Sequence, residues 1–219
     1  MKKYFDVLKR CPLFHQIEDE NLGALLHCLG ASVLSYNKKD IIIAEGEAIR
    51  WIGIVLSGSV QIIQIDYFGN RSIVSDIEPS QLFGEAFACA DEKEIPVNVV
   101  ANEACEIMFI DYERTIHPCC NACAFHAKII YNLMKSMAIK NIMFHQKMQI
   151  TSKRSTREKL MEYLMLQAKK NGSNSFDIPF DRQELADYLE VDRSGLSSEI
   201  SKLRKENIIK SNKSHFVLL

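Results

Sequence analysis

The sequence predicts an α+β fold built from a strand-rich N-terminal half, one long helix and a compact C-terminal segment. Runs of Ile and Val punctuated by glycines occupy residues 31–101, and no Gly or Pro interrupts residues 124–151. After that stretch, helix-capping residues and short apolar patterns alternate. Several short strands without long helices between them are typical of a small barrel or roll. The long uninterrupted helical pattern predicts a single long helix after these strands.

The first part of the chain, residues 4–29, has the pattern of two short helices separated at Pro12. The opening residues have no apolar core of signal-peptide length, and the longest apolar runs are far too short to cross a bilayer. We therefore expect a cytoplasmic protein without a membrane partner. Its seven cysteines, an odd number, are then expected to remain reduced thiols.

Five segments between residues 40 and 101 have the composition of short strands joined by tight turns. Gly46, Gly53, Gly58 and Gly69 separate them, and residues 67–70 are expected to form a hairpin tip. The predicted strands are Asp40–Ala44, Trp51–Leu56, Val60–Asp66, Ser72–Asp76 and Val97–Ala101.

The stretch Leu82–Phe87 stands apart from these strands as a candidate ligand-binding turn. Gly84 would let the backbone come close to a ligand, and the amides of a following helix start favour an anion. The Glu85 carboxylate can accept hydrogen bonds from a hydroxyl. A lone Gly-Glu pair is also compatible with an ordinary turn.

A cluster of thiols precedes the long helix. His117 is followed within six residues by Cys119, Cys120 and Cys123. Three interpretations are open. The cysteines are reduced thiols beside a helix start, or they form a redox switch because a helix N-terminus lowers the pKa of a thiol, or they are part of a metal or iron-sulfur site. The first is favoured, because spacing alone is weak evidence for either of the others. The histidines show no metal-ligand spacing, although haem ligation by one of them stays open.

The long helix, predicted from Ala124 to about Thr151, carries an apolar stripe too long to be left in water. The stripe consists of Ile130, Leu133, Met137, Phe144 and Met148. It can be buried against the strands or against its twin in a second subunit, and Lys140 and Asn141 interrupt it. A polar residue in such a seam often fixes register. We expect dimerisation through this helix.

The C-terminal segment has the pattern of a helix-turn-helix. Asp181 and Glu184 form a capping box for a first helix, and Asp192 can cap a second one with Leu196, Ile200 and Leu203 on one face. Such a pair places its second helix in the DNA major groove, although a helical hairpin in a core has a similar pattern. Two short strands around residues 212–214 would add the wing of a winged helix.

In the order and spacing of Gly46, Gly58, Gly84-Glu85 and the closing helix-turn-helix, the chain resembles a Crp/Fnr-family transcription regulator. The resemblance implies a double-stranded β-helix, or jelly-roll, sensor domain at residues 1–118. It implies a long dimerisation helix at 119–150 and a winged helix-turn-helix at 151–219. It also implies a homodimer on a near-palindromic DNA operator, with RNA polymerase as a candidate further partner.

The effector site departs from the cAMP-binding members of that family. Those members carry an Arg-Ser pair for the cyclic phosphate, where this chain has Ile95 and Pro96. Isoleucine cannot make a charge-assisted contact to phosphate, so we expect neither cAMP nor cGMP. The pocket would hold another small molecule, or none, and no cofactor is assigned. The candidate effector-binding residues are Phe83, Gly84, Glu85, Ala86, Pro96 and Val97.

The resemblance and the helical pattern together give the candidate DNA contacts. Arg193 matches the family's first base-reading arginine, whereas Ser194 and Ser198 replace a usual Glu and Arg, and Ser197 keeps a common serine. The candidate DNA-binding residues are Arg193, Ser194, Ser197, Ser198, Lys202, Arg182 and Lys213. Further phosphate contacts are expected from Lys153, Arg154, Arg157 and Lys210.

The charge distribution agrees weakly with DNA binding. Residues 151–219 hold 13 Lys and Arg against 10 Asp and Glu, and residues 1–150 hold 14 against 18. Three functions compete: a homodimeric transcription regulator under a small-molecule or redox signal, a ligand-binding regulatory module without specific DNA binding, and an enzyme. No nucleophile-base set, Walker loop or carboxylate pair in a plausible context supports an enzyme.

Overall fold

In the computed structural model, the structure describes residues 2–90, 92–117 and 124–219. The three clustered cysteines, Cys119, Cys120 and Cys123, lie outside these residues. The chain divides into two compact units. The first runs to Gly69 and continues with Val74–Asn141, and the second comprises Asn70–Ile73 and Ile142–Leu219.

The first unit begins with short helices that cover one end of its core. Single 3₁₀ turns at Lys2–Tyr4 and Pro12–Phe14 flank helix α1, Phe5–Arg10, and helix α2 spans Asp19–Cys28. The break at Pro12 is confirmed, with the proline at the first position of its turn. The leucines Leu22, Leu25 and Leu26 of α2 are buried, and so is Leu29 just after its end.

Two four-stranded antiparallel sheets form the roll that the sequence predicts. Their strands are β1 Ser32–Tyr36, β2 Ile41–Ile43, β3 Trp51–Ser57, β4 Val60–Ile65, β5 Arg71–Ile77, β6 Leu82–Phe83, β7 Asn98–Ala101 and β8 Cys105–Asp111. One sheet has the order β1-β8-β3-β6 and the other β2-β7-β4-β5. Short helices α3, Glu85–Cys89, and α4, Tyr112–Ile116, follow β6 and β8.

The sheets share one apolar core, and an aromatic group lies in it near the candidate effector turn. Trp51 contacts Phe83 and Phe109 edge to face, with ring centroids 5.9 and 4.4 Å away. Gly53 lies directly under Phe83: a Cβ at this position would be 2.4 Å from the Phe83 ring. The glycine is therefore required by this close approach.

Helix α5 extends over 28 residues, Ala124–Thr151, as the sequence predicts. Its inner face packs on the first core through Ile129 and Leu133, which are 0 and 3 % exposed. Asn132 on the same side donates hydrogen bonds to the carbonyl oxygens of Leu13 and His15, both at 2.9 Å. This docking holds the beginning of α5 against the N-terminal helices.

The predicted apolar stripe of α5 is only half buried. Leu133 is buried and Met137 is partly buried, but Phe144 and Met148 are 47 and 57 % exposed. A second apolar stripe faces outward instead, with spacings of three, four and four residues. It consists of Tyr131, Met134, Ala138 and Ile142, and we call it the outer stripe.

The second unit contains a three-helix core and a small sheet. Its elements are α6 Thr156–Asn171, β9 Ser175–Asp177, α7 Arg182–Leu189, α8 Arg193–Lys205, β10 Ile209–Asn212 and β11 His215–Leu218. The sheet has the order β10-β11-β9, so the two predicted wing strands pair and a third joins them. The buried residues include Leu160, Tyr163, Leu164, Leu185, Ala186, Leu196, Ile200, Leu203 and Phe216.

Candidate DNA-binding surface and effector site

Helix α7 begins at the capping box that the sequence predicts. The amide of Glu184 donates to Asp181 Oδ1 and the amide of Asp181 donates to Glu184 Oε2, both at 2.8 Å. Lys159 donates to the carbonyl oxygens of Leu189 and Glu190, each at 3.2 Å. A cation at the carboxyl end of a helix satisfies otherwise unpaired carbonyls and complements the helix dipole. Both ends of α7 are therefore fixed.

The turn between α7 and α8 relies on a left-handed residue and a second cap. Glu190 ends α7 with φ 54°, and Asp192 accepts from the amide of Gly195 at 2.8 Å. Ser194 also donates its hydroxyl to Asp192. These hydrogen bonds lower the pKa of the Asp192 carboxyl, the Ser194 hydroxyl contributing most. Helix α8 therefore starts at a defined residue.

Helix α8 is amphipathic in the way a recognition helix requires. Leu196, Ile200 and Leu203 are at most 4 % exposed. The opposite side leaves Arg193, Ser194, Ser198 and Lys202 exposed, with Ser197 partly buried at the edge. Side chains that can donate or accept hydrogen bonds thus lie on one face of α8, and the opposite face packs in the apolar core.

Arg182, at the start of α7, extends this surface, but it is partly buried. Its guanidinium carbon lies 5.9 Å from the centre of the Phe216 ring. Burial and, secondarily, the charge of Arg193 lower the pKa of Arg182. Its Nη1 is buried without a hydrogen-bond partner among the residues described.

The wing holds Lys213 at its tip. Lys213 has φ 51° and is exposed, between β10 and β11. At the base of the wing, His215 Nδ1 lies 3.0 Å from Asp177 Oδ1, and its Nε2 lies 3.1 Å from Ser175 Oγ. These contacts tie β11 to β9 and position the tip.

Three of the expected DNA contacts form ion pairs with carboxylates on the protein surface. Arg157 makes a two-pronged contact with Glu206, at 3.0 and 2.5 Å. Lys202 pairs with Glu199 at 2.6 Å, and Lys153 lies 3.4 Å from Glu162. The sequence pattern does not reveal the partner of Arg157, because Glu206 is 49 residues away.

The candidate effector turn is built around a buried carboxylate. Gly84 has φ 81°, and Glu85 is 2 % exposed. Glu85 Oε1 lies 2.6 Å from Lys140 Nζ, and Lys140 also donates to the carbonyl oxygen of Leu82 at 2.5 Å. Sequence reasoning placed Lys140 in an apolar seam and missed this pair. The helical spacing Ile129, Leu133, Ser136, Lys140 is the signal that could have found its inward direction.

The remaining candidate effector residues do not share one environment. Phe83 and Val97 are buried, whereas Ala86 and Pro96 are exposed. Ile95 is 1 % exposed, and its backbone bonds with Gly46 and Glu47, at 2.9 and 3.0 Å. The Ile95 side chain is therefore part of the core.

Two family models match separate parts of the chain. A model of the cyclic nucleotide-binding domain matches residues 33–117, and one of the Crp-like helix-turn-helix domain matches residues 158–219. The chain belongs to the Crp/Fnr family. Membership makes it a transcription regulator by architecture and not an enzyme, as the sequence predicts. Among curated proteins, none matches it.

Several solved structures share the fold of this chain at low sequence identity. CLP, described as a c-di-GMP-responsive global regulator from Xanthomonas campestris, is 16 % identical with a TM-score of 0.74, covering 92 % of this chain and 99 % of its own. FixK2 from Bradyrhizobium japonicum is 18 % identical with a TM-score of 0.65, covering 86 and 92 %. A CRP/FNR-family regulator from Thermus thermophilus is 17 % identical with a TM-score of 0.60, covering 86 and 93 %.

Within the described part of this Crp/Fnr chain, no helix combines the length and apolar character needed to cross a membrane. No group of three or more His, Cys, Asp or Glu residues among residues 2–90, 92–117 and 124–219 could hold a metal ion. The expected thiol cluster falls outside those ranges.

Proposed function

We propose that this Crp/Fnr-type regulator binds a near-palindromic operator as a homodimer, with α8 of each subunit in the major groove. The amphipathic character of α8 carries the proposal. Its apolar side is buried, while Arg193 and Ser198 stay exposed beside the partly buried Arg182. Arg193 is assigned to a guanine edge, because an arginine reads guanine O6 and N7 with two hydrogen bonds.

The outer stripe of α5 supports the homodimer. Tyr131, Met134 and Ile142 are 62, 65 and 59 % exposed, although each is large and apolar. Exposed apolar residues at helical spacing are typical of a surface that packs against another helix. A second copy of the same helix would bury the stripe and place two recognition helices together.

The controlling signal in this proposal is a small molecule or a redox change, and not cAMP. Ile95 is buried and uncharged where the cyclic phosphate would need a cation. The thiols of Cys119, Cys120 and Cys123 stay candidates for redox control. The division into a sensor domain at 1–118, a dimerisation helix at 119–150 and a DNA-binding domain at 151–219 is part of the same proposal, and RNA polymerase is its candidate further partner.

The test is selection of a binding sequence from random duplex DNA, followed by titration of the selected duplex. We expect a pseudo-palindrome whose affinity falls steeply between 50 and 200 mM salt, by about 10³-fold or more if six or more phosphates are contacted. Replacing Arg193 with Ala should weaken binding to that duplex by about 1–3 kcal/mol and relax the preference at one base pair.

A matched control distinguishes the loss of a base contact from the loss of one positive charge on the surface. Lys170 is an exposed cation at the end of α6, and Lys170→Ala should leave the selected duplex bound within about twofold. Failure to enrich any sequence, with and without reductant, would contradict the proposal. It would favour a ligand-binding regulatory module without specific DNA binding.

A further inference from the structure

The buried pair of Glu85 and Lys140 joins the sensor to the long helix. Glu85 belongs to α3 and Lys140 to α5, and both lie in the first unit. Their charged atoms are 2.6 Å apart, with the carboxylate side chain 2 % and the lysine side chain 27 % exposed. Coulombic attraction is strong where water is excluded, so this contact favours one position of α5 over the turn.

The lysine satisfies two acceptors of the same turn. Besides the carboxylate, the ammonium group donates to the carbonyl oxygen of Leu82, which precedes Phe83 in β6. The second carboxylate oxygen, Glu85 Oε2, is buried and has no hydrogen-bond partner within the described residues. Lys140 is thus the cation that balances the negative charge of Glu85, a carboxylate that water does not reach.

An internal partner has an advantage over any free molecule at this position. Lys140 is attached to the chain, so its effective concentration at Glu85 is high and it loses no translational freedom on pairing. A small molecule that needs the same oxygen must first displace it. The turn is therefore occupied while no effector is bound.

We propose that Lys140 acts as a built-in ligand of the sensor: its ion pair with Glu85 holds α5 in the position for DNA binding without an added small molecule at this turn. Lys140 is a positioning residue in this scheme, since it acts through α5. The inference rests on the proposed DNA-binding function, and it adds that the Lys140 ammonium group positions α5.

The first test compares DNA binding by Lys140→Met and wild-type protein, at a temperature where both are folded by circular dichroism. Without its cation, the Glu85 carboxylate is left buried and unpaired, and α5 shifts to relieve it. We expect Lys140→Met to bind the selected duplex about tenfold more weakly or worse, within the range of typical coupling between sites. Amide hydrogen exchange in residues 133–141 should become faster.

A matched control breaks an ion pair of the same length at the surface. Lys9 and Asp19 are also 2.6 Å apart, but their side chains are 45 and 56 % exposed. Lys9→Met should leave DNA affinity and exchange in α5 unchanged. The double variant Glu85→Gln with Lys140→Met removes the unpaired charge, so it should recover part of the affinity that Lys140→Met alone loses.

The outcomes separate this inference from the function on which it rests. Wild-type protein that binds no duplex overturns the DNA-binding proposal, while exchange in α5 still reports whether Lys140 positions that helix. Wild-type binding with Lys140→Met within twofold of it, or with no recovery in the double variant, overturns the built-in ligand.

Discussion

Lys147 is a residue whose surroundings predict a pH dependence of stability. It donates to the carbonyl oxygen of Ile73 and lies 4.8 Å above the Tyr188 ring, all within the second unit. Burial lowers the pKa of Lys147 to about 8, against an opposing effect of the Glu190 charge. The unfolded lysine keeps its proton to about pH 10.4, so the unfolded state binds more protons above pH 8. Stability then rises with pH.

The measurement is urea unfolding of wild-type protein and Lys147→Met from pH 7 to 9.5. The stability of wild type relative to the variant should rise by about 2 kcal/mol between pH 7 and 9.5, with most of the rise above pH 8. The comparison cancels Cys11, whose burial raises its pKa to about 12 and therefore removes stability as the unfolded thiol ionises. A flat difference over the whole range would contradict the assignment.

At single residues, sequence reasoning found local chemistry and missed distant partners. Asp181, Glu184 and Asp192 could be predicted as caps, because a cap and its amide are neighbours in the chain. Lys140 and Glu85 are 55 residues apart, and only the packing of α5 on the roll brings them together. The pair of Arg157 and Glu206 was missed for the same reason, since these residues are 49 positions apart.

The capping box of α7 gives a prediction at the scale of one element. Replacing Asp181 with Ala removes the acceptor for the Glu184 amide and leaves the first turn of α7 with an unpaired donor. The free energy of unfolding should fall by about 1 kcal/mol, measured by urea denaturation. Asp181→Asn keeps an acceptor and should cost much less. Equal losses in both variants would show that the hydrogen bond is not the cause.

Whole elements could be predicted where periodicity was strong and bounded. The bounds of α5 and its apolar character agree with the prediction. The exposed apolar face does not, because it includes the outer stripe, which the sequence analysis did not predict. A single apolar stripe could not show whether this helix packs against the strands of its own chain or against a second subunit. Strand β8, Cys105–Asp111, was missed although it pairs with both β1 and β3. Strand β1, Ser32–Tyr36, was missed as well although Gly30 precedes it, so turn signals alone do not find every strand.

The whole molecule offers a test of dimerisation through the outer stripe. Ile142 is 59 % exposed on α5, and Met165 is 57 % exposed on α6. Ile142→Glu would place a carboxylate of each subunit in the paired seam, where burial of an unpaired charge costs several kcal/mol. Sedimentation equilibrium should show a dimer dissociation constant raised about a hundredfold or more. The control, Met165→Glu, makes the same type of change outside the stripe and should remain dimeric.

Dimer loss has a further consequence for DNA binding, because each monomer keeps its own α8 surface. Monomeric Ile142→Glu should still bind DNA weakly, but with about half of the salt dependence, since half of the phosphates are contacted. It should also lose its preference for two half-sites about one helical turn apart. Titration of duplexes with correct and altered half-site spacing measures this preference. A monomer that still distinguished the spacings would show that specificity resides in one subunit, and the outer stripe would then serve another contact.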